Sequence, residues 1–146
     1  MINELYKDIT EVTTGIIAHG VNCQRVMGSG VALAIKTKWP IIYDVFMNSA
    51  AGLGDADVIE ISDFLYVANC YTQEFYGSGR KYATTEAIES SLQIVFENAQ
   101  TYNVPVNLPK IGSDRGGLDW DTEVLPIIQA LDESFESVTT NLYIWK

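Results

Sequence analysis

The chain has 146 residues, 47% of them hydrophobic and 11% aromatic, with a formal net charge of −10 and a pI near 4.3. That length and apolar content suit one globular domain spanning residues 1–146 and exclude a disordered chain. The charge argues against a nucleic-acid surface, which needs a basic patch to displace counterions, and no apolar run approaches the ~20 residues of a membrane span.

The opening stretch MINELYKDITE is acidic and polar, unlike a secretory signal. Cys23 and Cys70 share no CxxC or metal-like spacing, and His19 is the only histidine, so no metal site and no cofactor are expected. Reduced cysteines in a cytoplasmic protein are the simplest expectation.

In chain order, Ile2 to Asp8 reads as a short first strand ending at Asp8-Ile9-Thr10. Ile16 to Val21 is apolar or small throughout, as a strand buried on both faces would be. A polar turn and Gly28-Ser29-Gly30 follow, then a helix from about Ser29 that stops at Trp39-Pro40, because the residue before a proline resists the α region. Ile41 to Ala51 reads as a second short helix, and Val58–Ile61 and Phe64–Tyr71 as two strands around a tight turn. The loop from Glu74 to Lys81 is glycine-containing and expected to move.

From Ala83 to Tyr102, the residues Ile88, Leu92, Val95, Ala99 and Tyr102 recur at spacings of four and three, one face of a long amphipathic helix with Thr84 or Thr85 as N-cap. Val104 to Leu108 is a short buried strand. A last helix runs to about Ser137, with Pro126 either opening it or following a separate turn at Asp121 to Leu125. Val138 to Trp145 closes the chain as a strand.

Strands separated by helices predict a three-layer α/β/α domain around a mixed sheet. Ligands in such folds bind beyond the carboxyl ends of the strands. Two glycine-rich loops follow predicted strands, Gln24–Gly30 and Ile111–Gly117. If both strands are central, the loops face each other across one crevice. A glycine bend feeding a helix presents free N–H groups and the positive end of the dipole, which is an anion site. The expected ligand is phosphorylated and held by backbone amides, with poor long-range steering toward an acidic protein.

These residues together resemble the macro domain family, which binds ADP-ribose. Asp8-Ile9-Thr10 is similar to its Gly-Asp-Ile-Thr signature, with Lys7 in place of the glycine. His19-Gly20-Val21-Asn22 resembles its ribose-binding strand end, and Met27-Gly28-Ser29-Gly30-Val31-Ala32 its first phosphate loop. Leu108-Pro109-Lys110-Ile111-Gly112, followed by Gly116-Gly117-Leu118-Asp119-Trp120, resembles the second. The likeness covers nearly the whole chain, and the compact branches resemble it most: ADP-ribose-1″-phosphate phosphatases, phage-encoded ones included, and hydrolases that remove ADP-ribose from glutamate.

The resemblance implies that Asp8 accepts a hydrogen bond from the adenine amino group and that Ile9 lines the adenine pocket. Asn22 would hold the distal ribose. Gly28, Ser29, Gly30 and Val31 would offer amides to the diphosphate, with Ile111, Gly112, Ser113, Asp114, Arg115 and Gly116 closing from the other side. His19, Asn22 and Asp114 are the candidates for chemistry, as proton carrier, ribose anchor and water-orienting carboxylate. Each has a plainer reading, as a core histidine, a turn-closing amide and a solvated loop acid. The glutamate-specific hydrolases carry a catalytic lysine where Gln73 stands and a catalytic aspartate where Gly116 stands. Gln73 cannot act as a nucleophilic amine, so the covalent route is excluded unless Lys81 reaches in. The expected partner is ADP-ribose or a phosphorylated derivative. The expected activity is phosphate-monoester hydrolysis of ADP-ribose-1″-phosphate. The alternatives are hydrolysis of ADP-ribosyl adducts and binding without turnover.

Overall fold

The computed structural model describes residues 2–77, 79–113 and 116–144. The elements run β1 (Ile2–Leu5), a 3-10 turn (Ile9–Glu11), β2 (Gly15–Asn22), α1 (Gly30–Lys38), α2 (Pro40–Asn48), β3 (Ala56–Ser62) and β4 (Leu65–Gln73). Then come α3 (Thr85–Tyr102), β5 (Val106–Leu108), a π-helical turn (Trp120–Val124), α4 (Leu125–Ser134) and β6 (Thr140–Tyr143).

The strands form one sheet in the order β1-β6-β5-β2-β4-β3. Every pairing is parallel except β3 with β4, which form the expected hairpin around Phe64 at φ 68°. The sheet is therefore mixed. α1 and α2 pack on one face with Ile35, Ile42 and Phe46 against Ile17, Val21, Val67 and Tyr71. α3 and α4 cover the other face, where Ile88, Leu92, Phe96 and Ile128 meet Ile16, Ala18, Cys70 and Val106. β2 and β4 lie between the two layers, which explains their near-continuous apolar runs.

Local chemistry sets the helix boundaries. Pro40 takes the first position of α2, where its missing N–H is harmless. Thr84 is the N-cap of α3, its hydroxyl oxygen accepting from Ala87 N at 3.1 Å, and Asn103 ends that helix at φ 56°. Pro126 is settled the same way: residues 120–124 are a separate π turn, and the proline falls in the first turn of α4.

Four sequence expectations need correction. Asp8-Ile9-Thr10 is not a strand end, since Asp8 caps the 3-10 turn that Ile9 and Thr10 begin. Tyr102 is not on the core face of α3; it is 43% exposed and stacks on Tyr66 with centroids 4.6 Å apart. α4 stops at Ser134 rather than near Ser137. The last strand is shorter than expected and begins at Thr140. No helix of the described residues is long and apolar enough to cross a membrane.

Candidate functional site

β2 and β5 are adjacent and parallel, with Ile16 opposite Val106 and Ile17 opposite Asn107. The chain leaves β2 toward α1 on one face and leaves β5 toward α4 on the other. Connections that diverge from neighbouring parallel strands leave a crevice at their carboxyl ends. A cleft of about 360 Å³ lies there. Its walls are residues 19–22 at the end of β2, residues 26–32 of the first glycine loop, Thr72, Gln73, Tyr76 and Gly77 after β4, and residues 109–112 with Gly116. The two glycine loops do converge.

The first loop leads into a helix start that has no side-chain cap. Ser29, the N-cap of α1, is extended and makes no side-chain cap bond, and no acidic residue occupies the first turn. The amides of Gly30, Val31 and Ala32, all cleft-lining, are therefore the orphan donors of the helix start. The described lining residues include Lys110 and no carboxylate; the Lys110 ammonium lies 6.0 Å from the ring centroid of Trp120, which is not a lining residue.

Asn22 is committed to its own turn. Its Nδ2 donates to Val26 O at 2.8 Å, and its Oδ1 accepts from Gln24 N at 3.1 Å and Val26 N at 3.2 Å. One Nδ2 hydrogen remains for a ligand. The amide shapes the wall as well as lining it.

His19 is 1% exposed, with Nε2 2.6 Å from Asn69 Oδ1. An amide oxygen only accepts, so Nε2 carries the hydrogen and Nδ1 is bare. Nδ1 is buried with no hydrogen-bond partner among the described residues. Burial pushes the imidazole pKa down to about 4, against a smaller upward pull from Asn69. The ring is neutral at pH 7, and His19 is at once a buried residue of β2 and a residue of the cleft wall.

The other sequence candidates divide clearly. Gly28, Ser29, Gly30, Val31, Ile111, Gly112 and Gly116 line the cleft with His19 and Asn22. Asp8, Ile9 and Ser113 are not among its lining residues. Ile9 is 6% exposed within the α1/α2 core, and Asp8 is half-buried, its Oδ1 accepting from both Thr10 N at 2.9 Å and Thr10 Oγ1 at 2.8 Å. Asp114 and Arg115 lie outside the described residues.

Lys81 does not reach in. Its Nζ lies 2.6 Å from Glu123 Oε1 on the π turn, and it is not a lining residue. Gln73 does line the cleft, with its Nε2 donating to Phe75 O at 2.6 Å. Sequence reasoning missed Lys110, Thr72 and Tyr76. A lysine right after a buried strand and Pro109 is the sequence signal that points to Lys110.

No family model matches the chain. Over 133 residues, 86% of this chain, it is 24% identical to proteins named DNA ADP-ribosyl glycohydrolase from Mycobacterium tuberculosis and Mycobacterium bovis. The match spans 37% of the length of those relatives. A macrodomain protein from Streptomyces coelicolor superposes with a TM-score of 0.78 at 26% identity, covering 100% of this chain and 99% of that one. A Trypanosoma brucei macrodomain solved in complex with ADP-ribose gives a TM-score of 0.75 at 12% identity, over 99% of this chain and 63% of that one. These superpositions cover 99% or more of this chain, and the chain has the macrodomain fold.

Proposed function

We propose that this chain is a macrodomain that binds ADP-ribose in the cleft between its two glycine loops and hydrolyses the bond at the anomeric carbon of the distal ribose, freeing ADP-ribose from an adduct. The observation that carries the reading is the uncapped start of α1 opening onto a cleft whose described lining includes Lys110 and holds no carboxylate. Amide donors, a helix dipole and one ammonium suit a diphosphate. The T. brucei macrodomain with ADP-ribose supports the ligand, and the mycobacterial glycohydrolases support the reaction.

In this account the amides of residues 28–31 and the loop carrying Ile111, Gly112, Ser113 and Gly116 hold the diphosphate, and Asp114 and Arg115 complete that loop. Asn22 gives its remaining N–H to a distal-ribose hydroxyl. Asp8 takes the adenine amino group on Oδ2, since its bonds to Thr10 both use Oδ1. His19 stays neutral and supports the wall from below. A water held beside the distal ribose attacks, because neither Gln73 nor Lys81 offers a nucleophilic amine there.

A second reading, phosphate-monoester hydrolysis of ADP-ribose-1″-phosphate, is favoured by the same ammonium and by a described lining that would not repel a dianionic terminal phosphate. One experiment separates the two. The protein is incubated in parallel with an ADP-ribosylated oligonucleotide, an ADP-ribosylated carboxylate peptide and ADP-ribose-1″-phosphate, with free ADP-ribose and phosphate followed by chromatography. Free ADP-ribose from an adduct is the expected result. Phosphate release alone would replace the first reading by the second, and no product above blank would reduce the domain to a binding module.

A further inference from the structure

We propose that Arg25 is the positioning residue for the first wall of this cleft, its guanidinium clasping the 23–27 turn to the end of α2 and so fixing where Val26, Met27 and the α1 amides stand. The inference rests on the reading that the cleft binds ADP-ribose.

Arg25 adopts φ 66°, in the left-handed region that non-glycine residues enter at a cost and keep only when their surroundings over-determine it. Those surroundings are specific. Nη2 donates to Ser49 O at 2.8 Å and to Ala51 O at 2.9 Å, just past the last turn of α2, where the dipole is negative. The guanidinium carbon also lies 4.9 Å from the Tyr71 ring centroid and 5.5 Å from that of Phe46. Both rings are fully buried, and Tyr71 is tied by its hydroxyl to Asp57 Oδ2 at 2.9 Å. The receiving segment is ordered as well, with Ala51 N donating to Ser49 Oγ at 3.0 Å.

Arg25 does not line the cleft, so it acts through its neighbours. Val26, the next residue, gives both its N–H and its carbonyl to the Asn22 amide, and Val26 and Met27 both line the cleft. A rigid path therefore runs from β4 and α2 through Arg25 to Val26, then to Asn22 on one side and to residues 27–31 on the other. A lysine could reach one carbonyl, but it lacks the planar fork and the stacking surface that make the clasp.

The test compares wild type, Arg25→Gly and Arg25→Lys. Glycine suits the positive φ, so Arg25→Gly removes the clasp without adding backbone strain and a cooperative melt is expected. Each protein is titrated with ADP-ribose and, by NMR, with adenosine, which does not reach the diphosphate seat. The ADP-ribose Kd is expected to rise roughly tenfold in both variants, as misplacement of a binding wall would cause, with adenosine affinity unchanged. Equal loss of both ligands would mean a general loss of structure, and wild-type affinity for ADP-ribose would mean the turn holds itself. Either overturns the assignment.

If Arg25→Gly does not fold, the Arg25→Lys titration stands with hydrogen exchange. The Gln24 and Val26 amides should exchange faster in that variant than in wild type, and equal rates would overturn the clasp. Wild type failing to bind ADP-ribose would remove the functional reading and this assignment with it. Wild type binding, with variants that bind as well, removes the assignment alone.

Discussion

His19 Nε2 and Asn69 Oδ1 meet at 2.6 Å from paired positions on β2 and β4, at the level where α2 crosses the sheet. The contact ties two central strands together directly below the cleft. It also fixes the tautomer, while burial, against a smaller upward pull from that bond, holds the imidazole neutral well below its usual titration range.

The first expectation follows from the sign of that shift. Between about 4 and 6.5 the unfolded chain binds a proton that the folded His19 refuses, so stability is full above pH 6.5 and falls as pH drops toward 4. The shift bounds the effect at about 3 kcal/mol. Urea unfolding of wild type and His19→Gln at pH 7 and pH 4.5 checks it. The variant, which still offers Asn69 a donor, should show the flatter dependence, and parallel curves would mean that His19 titrates normally in the fold.

Asn22 and Asp8 should separate by ligand. Asn22→Ala breaks three hydrogen bonds inside the 22–26 turn, and it should reduce turnover more than adenosine affinity. Asp8→Ala should do the reverse, while costing the fold about 1 kcal/mol through the lost cap of the 3-10 turn. Titration with adenosine beside an adduct-hydrolysis assay reads both. Equal losses on both readouts in both variants would defeat the division of roles.

Lys81 should be dispensable for chemistry. Its ammonium is paired with Glu123, whose carboxyl is held below the usual carboxylate range first by that bond. Lys81→Met is expected to keep kcat within about twofold, since no step uses the amine as nucleophile. A loss of several orders of magnitude, or a borohydride-trapped adduct on Lys81, would restore the covalent route.

Two glycines of the second loop should differ in their tolerance of alanine. Both Gly112 and Gly117 have φ of 78°, so either alanine carries left-handed strain of about 1–2 kcal/mol. A Cβ on Gly112 would lie 2.5 Å from Ile88 Cδ1, the end of a side chain that can shift, whereas on Gly117 it would lie 2.3 Å from the Arg80 backbone carbonyl. Thermal melts should therefore rank Gly117→Ala below Gly112→Ala, and the opposite order would contradict the packing of the 79–83 segment on this loop.

Much of the fold was legible because its signals are local: the unbroken apolar run of β2, Thr84 before a periodic stretch, and Pro40 and Pro126 at helix starts. Tyr102 misled because periodicity records spacing and not where the sheet ends; it projects beyond the core onto Tyr66. The convergence of the two glycine loops on one cleft was legible because each follows a buried strand of the sheet. Arg25 was not, since nothing near it in sequence announces a left-handed arginine gripped by residues 21 to 46 positions away. His19 was found, but its burial and its Asn69 partner depend on strand register, which no short motif encodes.

The most direct test of the account is calorimetric titration of the purified protein with ADP-ribose, with AMP and ribose-5-phosphate as controls. Saturable one-to-one binding of ADP-ribose, tighter than either fragment and weakened by a charge reversal at Lys110, is the expected result. No heat of binding at millimolar ADP-ribose would contradict it.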